Sequence, residues 1–143
     1  MTEENRRDAI AKELNQARLA RAAARLLADA SLHNDSLSRL YYALFHTLVA
    51  LLLTEGIEPR RHRGLPHLLG THFSSLIAAA DVALVTRVAS YRDLADYERT
   101  WEATEEIVGE ASVAVDALLA RIRQHLVDQG WTAAPSQDDD PVA

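Results

Sequence analysis

The sequence predicts an all-α protein, an up-and-down bundle of four to five helices, and three observations carry that expectation. Apolar residues recur at three- and four-residue intervals through several long stretches, and no stretch alternates apolar and polar as a half-buried strand would. From Leu40 to Leu53 only His46 and Thr47 interrupt an apolar or aromatic run, so a helix there is apolar nearly all round and is expected to be buried by other helices as a central pillar. Helix-starting and helix-stopping residues fall between the periodic stretches.

Thr2 followed by Glu3 and Glu4 predicts a capped start for helix one, about residues 3 to 30, with Ile10, Leu14, Ala17, Ala24 and Leu27 on its inner face. His33-Asn34-Asp35-Ser36 is expected to break it, and Asn34, Asp35 or Ser36 to cap helix two, the pillar, which is predicted to reach about Glu55 and stop at Gly56 in a left-handed cap. Pro66 predicts the first position of a short third helix, with Leu68, Leu69, Phe73, Leu76 and Ile77 as its buried side. Asp81 opens a fourth helix through Val82, Val85, Val88, Ala89 and Leu94 to about Tyr97. Thr100 or Thr104 opens a fifth, in which Val108, Ala111, Val115, Leu118, Ile122 and Leu126 form one stripe and Gly130 ends the run. Residues 1–130 are expected to make a single domain, and 131–143, small, polar and acidic, a disordered tail.

With 143 residues, of which 48% are hydrophobic, the chain suffices for one core. It has no cysteine, which excludes disulfides, thiolate catalysis and cysteine-held metal and fits a reducing cytoplasmic setting. No signal peptide is evident, and the apolar run is shorter than the roughly 18 to 20 residues of a bilayer span. The net charge of −6, half of it on Asp138, Asp139 and Asp140, argues against coating nucleic acid by bulk electrostatics. Anion binding is therefore expected at local basic patches, of which Arg60-Arg61-His62-Arg63, ahead of a helix N-terminus, is the densest.

Three stretches together, Ser38-Arg39-Leu40-Tyr41-Tyr42-Ala43-Leu44-Phe45-His46, His62-Arg63-Gly64 and Arg92-Asp93-Leu94-Ala95-Asp96-Tyr97, resemble in order and spacing a HEPN domain of the branch with an S-R-x-Y-Y-A pillar and an R-x-x-A-D-Y segment. The resemblance covers about residues 5 to 127. It implies a helical bundle, homodimerisation, pairing with a minimal nucleotidyltransferase in toxin–antitoxin or defence modules and, in many members, metal-independent RNA cleavage by an arginine and a histidine in an R-x(4–6)-H motif at a cleft between protomers. Histidine supplies acid–base chemistry near neutral pH, and arginine a forked donor for a phosphate whose charge grows in the transition state.

Three pairs compete for that role. Arg92 to Tyr97 sits where the resemblance puts the motif but ends in tyrosine, whose phenol, with an ordinary pKa of about 10, is a poor base at neutral pH. Its structural alternative pairs Arg92 with Asp96 one turn on and packs Tyr97 at the bundle edge. Arg39 to His46 satisfies R-x6-H as a string, on nearly the same face of one helix, with Cα atoms roughly 10 Å apart by helix rise. The alternative has His46 bonded to a neighbouring side chain and Arg39 meeting an acid. Arg61 to His67 lies in a loop entering a helix and suits a phosphate cradle or a solvated surface.

Histidines 62, 67 and 72, five apart, do not share a helix face, and no metal or other cofactor is expected. Trp101 and Trp131 are expected to pack. The candidate catalytic residues are thus Arg92, Tyr97, Arg39 and His46, and the candidate RNA- or phosphate-binding residues Arg60, Arg61, His62, Arg63 and His67. The expected function is that of a cytoplasmic homodimer, not membrane-bound, acting on or binding RNA or nucleotide in a toxin–antitoxin-like or defence pair. The alternative is a non-catalytic module that dimerises and docks a nucleotidyltransferase or other protein.

Overall fold

The computed structural model describes residues 1–59 and 64–133, which form five α-helices and no strand; Arg60, Arg61, His62, Arg63 and the tail from residue 134 lie outside the described residues. The helices are α1 (Glu3–Asp29), α2 (His33–Leu53), α3 (Leu65–His72), α4 (Ala79–Tyr97) and α5 (Glu105–Asp128). The expected all-α bundle is the observed one, and α2 is its centre, packed against α1, α3, α4 and α5. Leu37, Leu40, Leu44, Leu48, Leu51 and Leu52 are fully buried on it. By length and apolarity α2 resembles a membrane-crossing segment, but most of it is covered by the other helices, as a core helix is.

Helix ends repeat one device. At the C-terminus of α1 the Leu32 N–H bonds Leu27 O at 2.8 Å and the Ser31 N–H bonds Ala28 O at 2.9 Å, a Schellman motif that satisfies carbonyls the helix leaves free. The same pair of bonds closes α2 at Gly56–Ile57 and α5 at Gly130–Trp131. Glycine occupies the left-handed position twice, at φ 72° and 78°, but in the first motif Ser31 holds φ 61°. The break therefore falls at Ala30–Leu32, and the expected capping segment His33–Ser36 is already helix. Asn34 and Ser36 are freed for other partners: the Ser36 hydroxyl, 1% exposed, donates to Ala24 O at 2.6 Å and ties α2 to α1.

The other boundaries differ from expectation by a residue or two. Pro66 is the second residue of α3, and Phe73, Leu76 and Ile77 lie past its end while still packing on the core. α4 starts at Ala79, with Asp81 accepting a bond from the Ala78 N–H at 2.8 Å. Of the two threonines weighed for α5, Thr104 is the cap, accepting from the Ile107 N–H at 3.1 Å. The six residues expected as its stripe are all buried.

Two antiparallel registers fix the frame. α1 lies along α2 through Arg6 to Thr54 O, Glu13 to His46 and Ala24 to Ser36. It lies along α5 through Arg7 to Gly130 O, Arg123 to Leu14 O and the bidentate pair of Arg21 with Asp116 at 2.6 and 2.9 Å. Arg7 also lies over the ring of Trp131, 4.9 Å from its centre, so that tryptophan packs at the end of α5.

Candidate functional site

The pillar is not covered all round. Ser38, Tyr42, Phe45 and His46 are only partly buried and Arg39 is exposed, so a stripe of α2 opens to the surface along one side. Helical spacing puts these residues on one face, where the resulting patch of rings is flanked by Glu13 of α1 and by Arg92 and Asp96 of α4.

Tyr42 is the hub of the stripe. The Arg39 guanidinium lies 4.7 Å from its ring centre and that of Arg92 5.6 Å, both within the range at which a cation is attracted by a ring face. Arg92 also sits 5.1 Å from the centre of Tyr41, whose ring meets Tyr42 edge-on at 5.3 Å. The His46 ring is 6.3 Å from Tyr42 on the next turn of α2. Three of the four candidate catalytic residues, Arg39, Arg92 and His46, thus gather around one phenol from two helices that sequence spacing alone does not join.

Arg92 is largely covered, with 18% of its side chain exposed. Its carboxylate neighbours are loose: Asp96 Oδ2 lies 3.4 Å from Nε and Asp93 Oδ1 3.6 Å from Nη1, and the buried Nε has no hydrogen bond in acceptable geometry. The expected pairing of Arg92 with Asp96 is therefore present as an ion pair, and the Ser38 hydroxyl approaches the same Asp96 oxygen at 3.5 Å. Burial disfavours the charge on Arg92, but Tyr42, Tyr41, Asp93 and Tyr97 outweigh it and raise its pKa above the ordinary arginine value. Burial likewise pushes the Tyr41 phenol up to about 12, against the opposing pull of Arg92.

His46 is bound. Its Nδ1 lies 2.6 Å from Glu13 Oε2, with 24% and 29% of the two side chains exposed. This is the neighbouring side chain expected for it. Arg39, in contrast, meets no acid: among the described residues it has no ion pair, and the ring of Tyr42 takes the place of the expected carboxylate. Tyr97 is not packed at the bundle edge. It is 71% exposed because α4 ends there and the chain turns away, and with Ser90, Asp93, Leu94 and Glu98 it lines an open pocket of ≈ 570 Å³. The loop that follows is held by Asn34, which donates to Trp101 O at 3.0 Å and accepts from the Ala103 N–H at 2.8 Å, while Trp101 stacks on Tyr91 at 6.2 Å.

Of the third expected pair only His67 lies among the described residues. Arg61 lies outside the described residues with Arg60, His62 and Arg63, and His67 is exposed on α3, with no hydrogen bond, ion pair or ring contact to Arg39, Arg92 or His46. His72 pairs with Glu55 at 3.3 Å. No three His, Asp or Glu side chains among the described residues are gathered to hold a metal ion.

The HEPN domain model matches residues 11–125, a span that contains all five helices in part or whole. The chain belongs to the HEPN family. A protein of Methanocaldococcus jannaschii named as a candidate toxin is 33% identical over 110 residues, 73% of this chain and 82% of that relative. A second such candidate toxin from the same organism is 32% identical over 83 residues, 56% of each chain. A UPF0332 protein of Pyrococcus horikoshii is 46% identical over a shorter stretch of 52 residues, 36% of this chain and 37% of the relative.

In this HEPN chain the residues around Tyr42 that sequence reasoning missed are Tyr41, as the second platform for Arg92, and Glu13, as the partner of His46. A signal for Glu13 existed. Glu13 and His46 lie at nearly equal distances along the chain from the turn at Ala30–Leu32, and two helices joined by so short a turn must run antiparallel and pair such residues.

Proposed function

We propose that this HEPN chain is a toxin-type protein that acts as a homodimer on RNA or nucleotide, within a two-component toxin–antitoxin or defence pair, and that its phosphate site is the cluster of Arg39 and Arg92 about Tyr42. The convergence of two guanidinium groups on one ring is the observation that carries this reading. Arg39 has no ion pair among the described residues and Arg92 is held only loosely by Asp93 and Asp96, so the two guanidinium groups are placed to receive phosphate oxygens over an aromatic floor that limits competition from water. The relatives named as candidate toxins support the biological setting. Arg60, Arg61, His62, Arg63 and His67 extend the proposal as a second basic region that follows an RNA strand. A cytoplasmic location and a minimal nucleotidyltransferase partner complete it.

A second reading has its own observation. Tyr97, in place of histidine, points outward beside Asp93 and Glu98, an arrangement suited to a partner protein and not to proton transfer, which favours a non-catalytic dimerisation and docking module. Incubation of purified protein with a fluorescent single-stranded RNA in EDTA separates the two. RNA binding that falls at least tenfold in both Arg39→Ala and Arg92→Ala supports the phosphate site. Absence of any RNA or nucleotide binding by the unaltered protein supports the docking module and overturns the first reading.

A further inference from the structure

We infer that the seam between α1 and α5 carries a separate oxyanion site, in which Arg18 and Arg123 together hold one phosphate group. The two guanidinium groups come from different helices but are tied to consecutive residues of α1: Arg18 Nη2 donates to Asn15 Oδ1 at 3.0 Å, and Arg123 Nη2 donates to Leu14 O at 3.3 Å. Neighbouring Cα atoms lie only about 3.8 Å apart, so both cations are brought to one place. Each uses one nitrogen in that contact, which leaves the rest of each fork to a ligand. Neither has an ion pair among the described residues, whereas other arginines of the seam are matched, Arg21 taking both oxygens of Asp116 and Arg7 pairing with Glu3. Burial and the charge of Arg18 both hold Arg123 below the ordinary arginine pKa, as befits a cation with no anion beside it.

The place and the ligand follow from the packing. In the antiparallel register that sets Leu14 against Arg123 and Arg21 against Asp116, Ala120 comes level with Arg18, and it is exposed. Its methyl group is too short to fill the space between the two forks. A carboxylate has two oxygens in one plane and is satisfied by a single fork, as Asp116 is by Arg21. A tetrahedral phosphate spreads its oxygens and accepts from two forks at once, so phosphate suits the pair. The site is distinct from the cluster about Tyr42. Glu13 faces His46 of α2, and Arg18, five residues on, is turned about 500° along α1, which is about 140° away from it. A free nucleotide and a nucleic-acid strand both offer this phosphate chemistry.

The test follows the Nε–H resonances of Arg18 and Arg123 in ¹H–¹⁵N spectra of the full chain titrated with inorganic phosphate, a nucleoside monophosphate or single-stranded RNA. Both resonances are expected to shift together with one dissociation constant. Arg18→Gln should weaken binding read at Arg123 by about tenfold, the loss of a charge-assisted hydrogen bond. Arg123→Lys, which keeps the charge and loses the fork, should weaken binding read at Arg18. Arg18 bonds only Asn15 among the described residues, so Arg18→Gln tests the site even where a change at Arg123 disturbs the fold. Arg39→Ala should leave the constant unchanged, which separates this site from the Tyr42 cluster. RNA bound more tightly than the mononucleotide, with the slope of log affinity against log salt lowered by about 0.7 in Arg18→Gln, assigns the phosphate to a strand. RNA bound no more tightly assigns it to a free nucleotide. Arginine resonances unmoved by all three probes, or equal constants in Arg18→Gln and the unaltered protein, overturn the inference.

Discussion

Asn34 offers a quantitative handle on how the segment around the site is held. It is the second residue of α2, yet its amide reaches across to the α4–α5 connection and satisfies Trp101 O at 3.0 Å and the Ala103 N–H at 2.8 Å. Asn34→Ala removes both bonds. Each is worth about 0.5–1.5 kcal/mol net, and because Ala103 is 8% exposed its amide is left largely without water as a replacement partner. Alanine gains a few tenths of a kcal/mol in helix propensity, so the net loss is about 2 kcal/mol.

For a chain of this size, between the two classes for which the conversion is known, that loss corresponds to a drop in Tm of about 6–10 °C. The location of the damage is as diagnostic as its size. Trp101 is stacked on Tyr91, and release of its loop should shift its fluorescence emission to the red before global unfolding, measured in a Trp131→Phe background so that one indole reports. A Tm within 2 °C of the parent, with unmoved Trp101 emission, refutes the view that Asn34 anchors the connection after Tyr97.

Three further outcomes can be checked by simpler means. Ser31→Gly should raise stability by about 0.5 kcal/mol in chemical denaturation, because a left-handed residue with a side chain costs about 1 kcal/mol and the added freedom of glycine in the unfolded chain returns part of it. Gly56→Ala should cost about 1–2 kcal/mol in the same assay, since φ is 72° and the new methyl would meet Nη2 at 3.3 Å on the same Arg6 guanidinium whose Nη1 donates to Thr54 O. Tyr41 should titrate near pH 12 by ultraviolet absorbance, and Tyr41→Phe should remove that step. The sign follows from the raised value: between about pH 10, where the unfolded chain loses this proton, and about 12, the folded state alone retains it, so its stabilising contribution is complete below 10 and lost as pH rises through that window.

The helices were legible because their information is local. The α5 stripe from Val108 to Leu126, the Thr104 cap and the glycine stops at 56 and 130 each depend on residues within one or two turns. The first helix break was misplaced for the same reason: the chain adopts the left-handed turn at Ser31, where no glycine announces it, and asparagine, aspartate and serine just beyond resemble caps while serving other contacts. Leu32, Ile57 and Trp131, the apolar residue after each left-handed position, form the signal common to all three stops.

The site was legible in its residues and not in its grouping. Arg39, His46 and Arg92 stand out by charge and motif, but a one-dimensional motif search treats Arg39–His46 and Arg92–Tyr97 as rivals, since each is read as a complete pair. In the folded chain they are parts of one arrangement, because α2 and α4 pack together and both arginines turn their charge onto Tyr42. This changes what the tyrosine at position 97 implies. A site that needs its histidine within one turn of Arg92 is disabled by Tyr97, whereas a site organised by the open stripe of α2 already holds a histidine with a carboxylate on its Nδ1. Tyrosine at position 97 therefore decides only whether a histidine stands beside Arg92, and not whether the cluster about Tyr42 binds phosphate, which RNA binding by Arg39→Ala and Arg92→Ala measures.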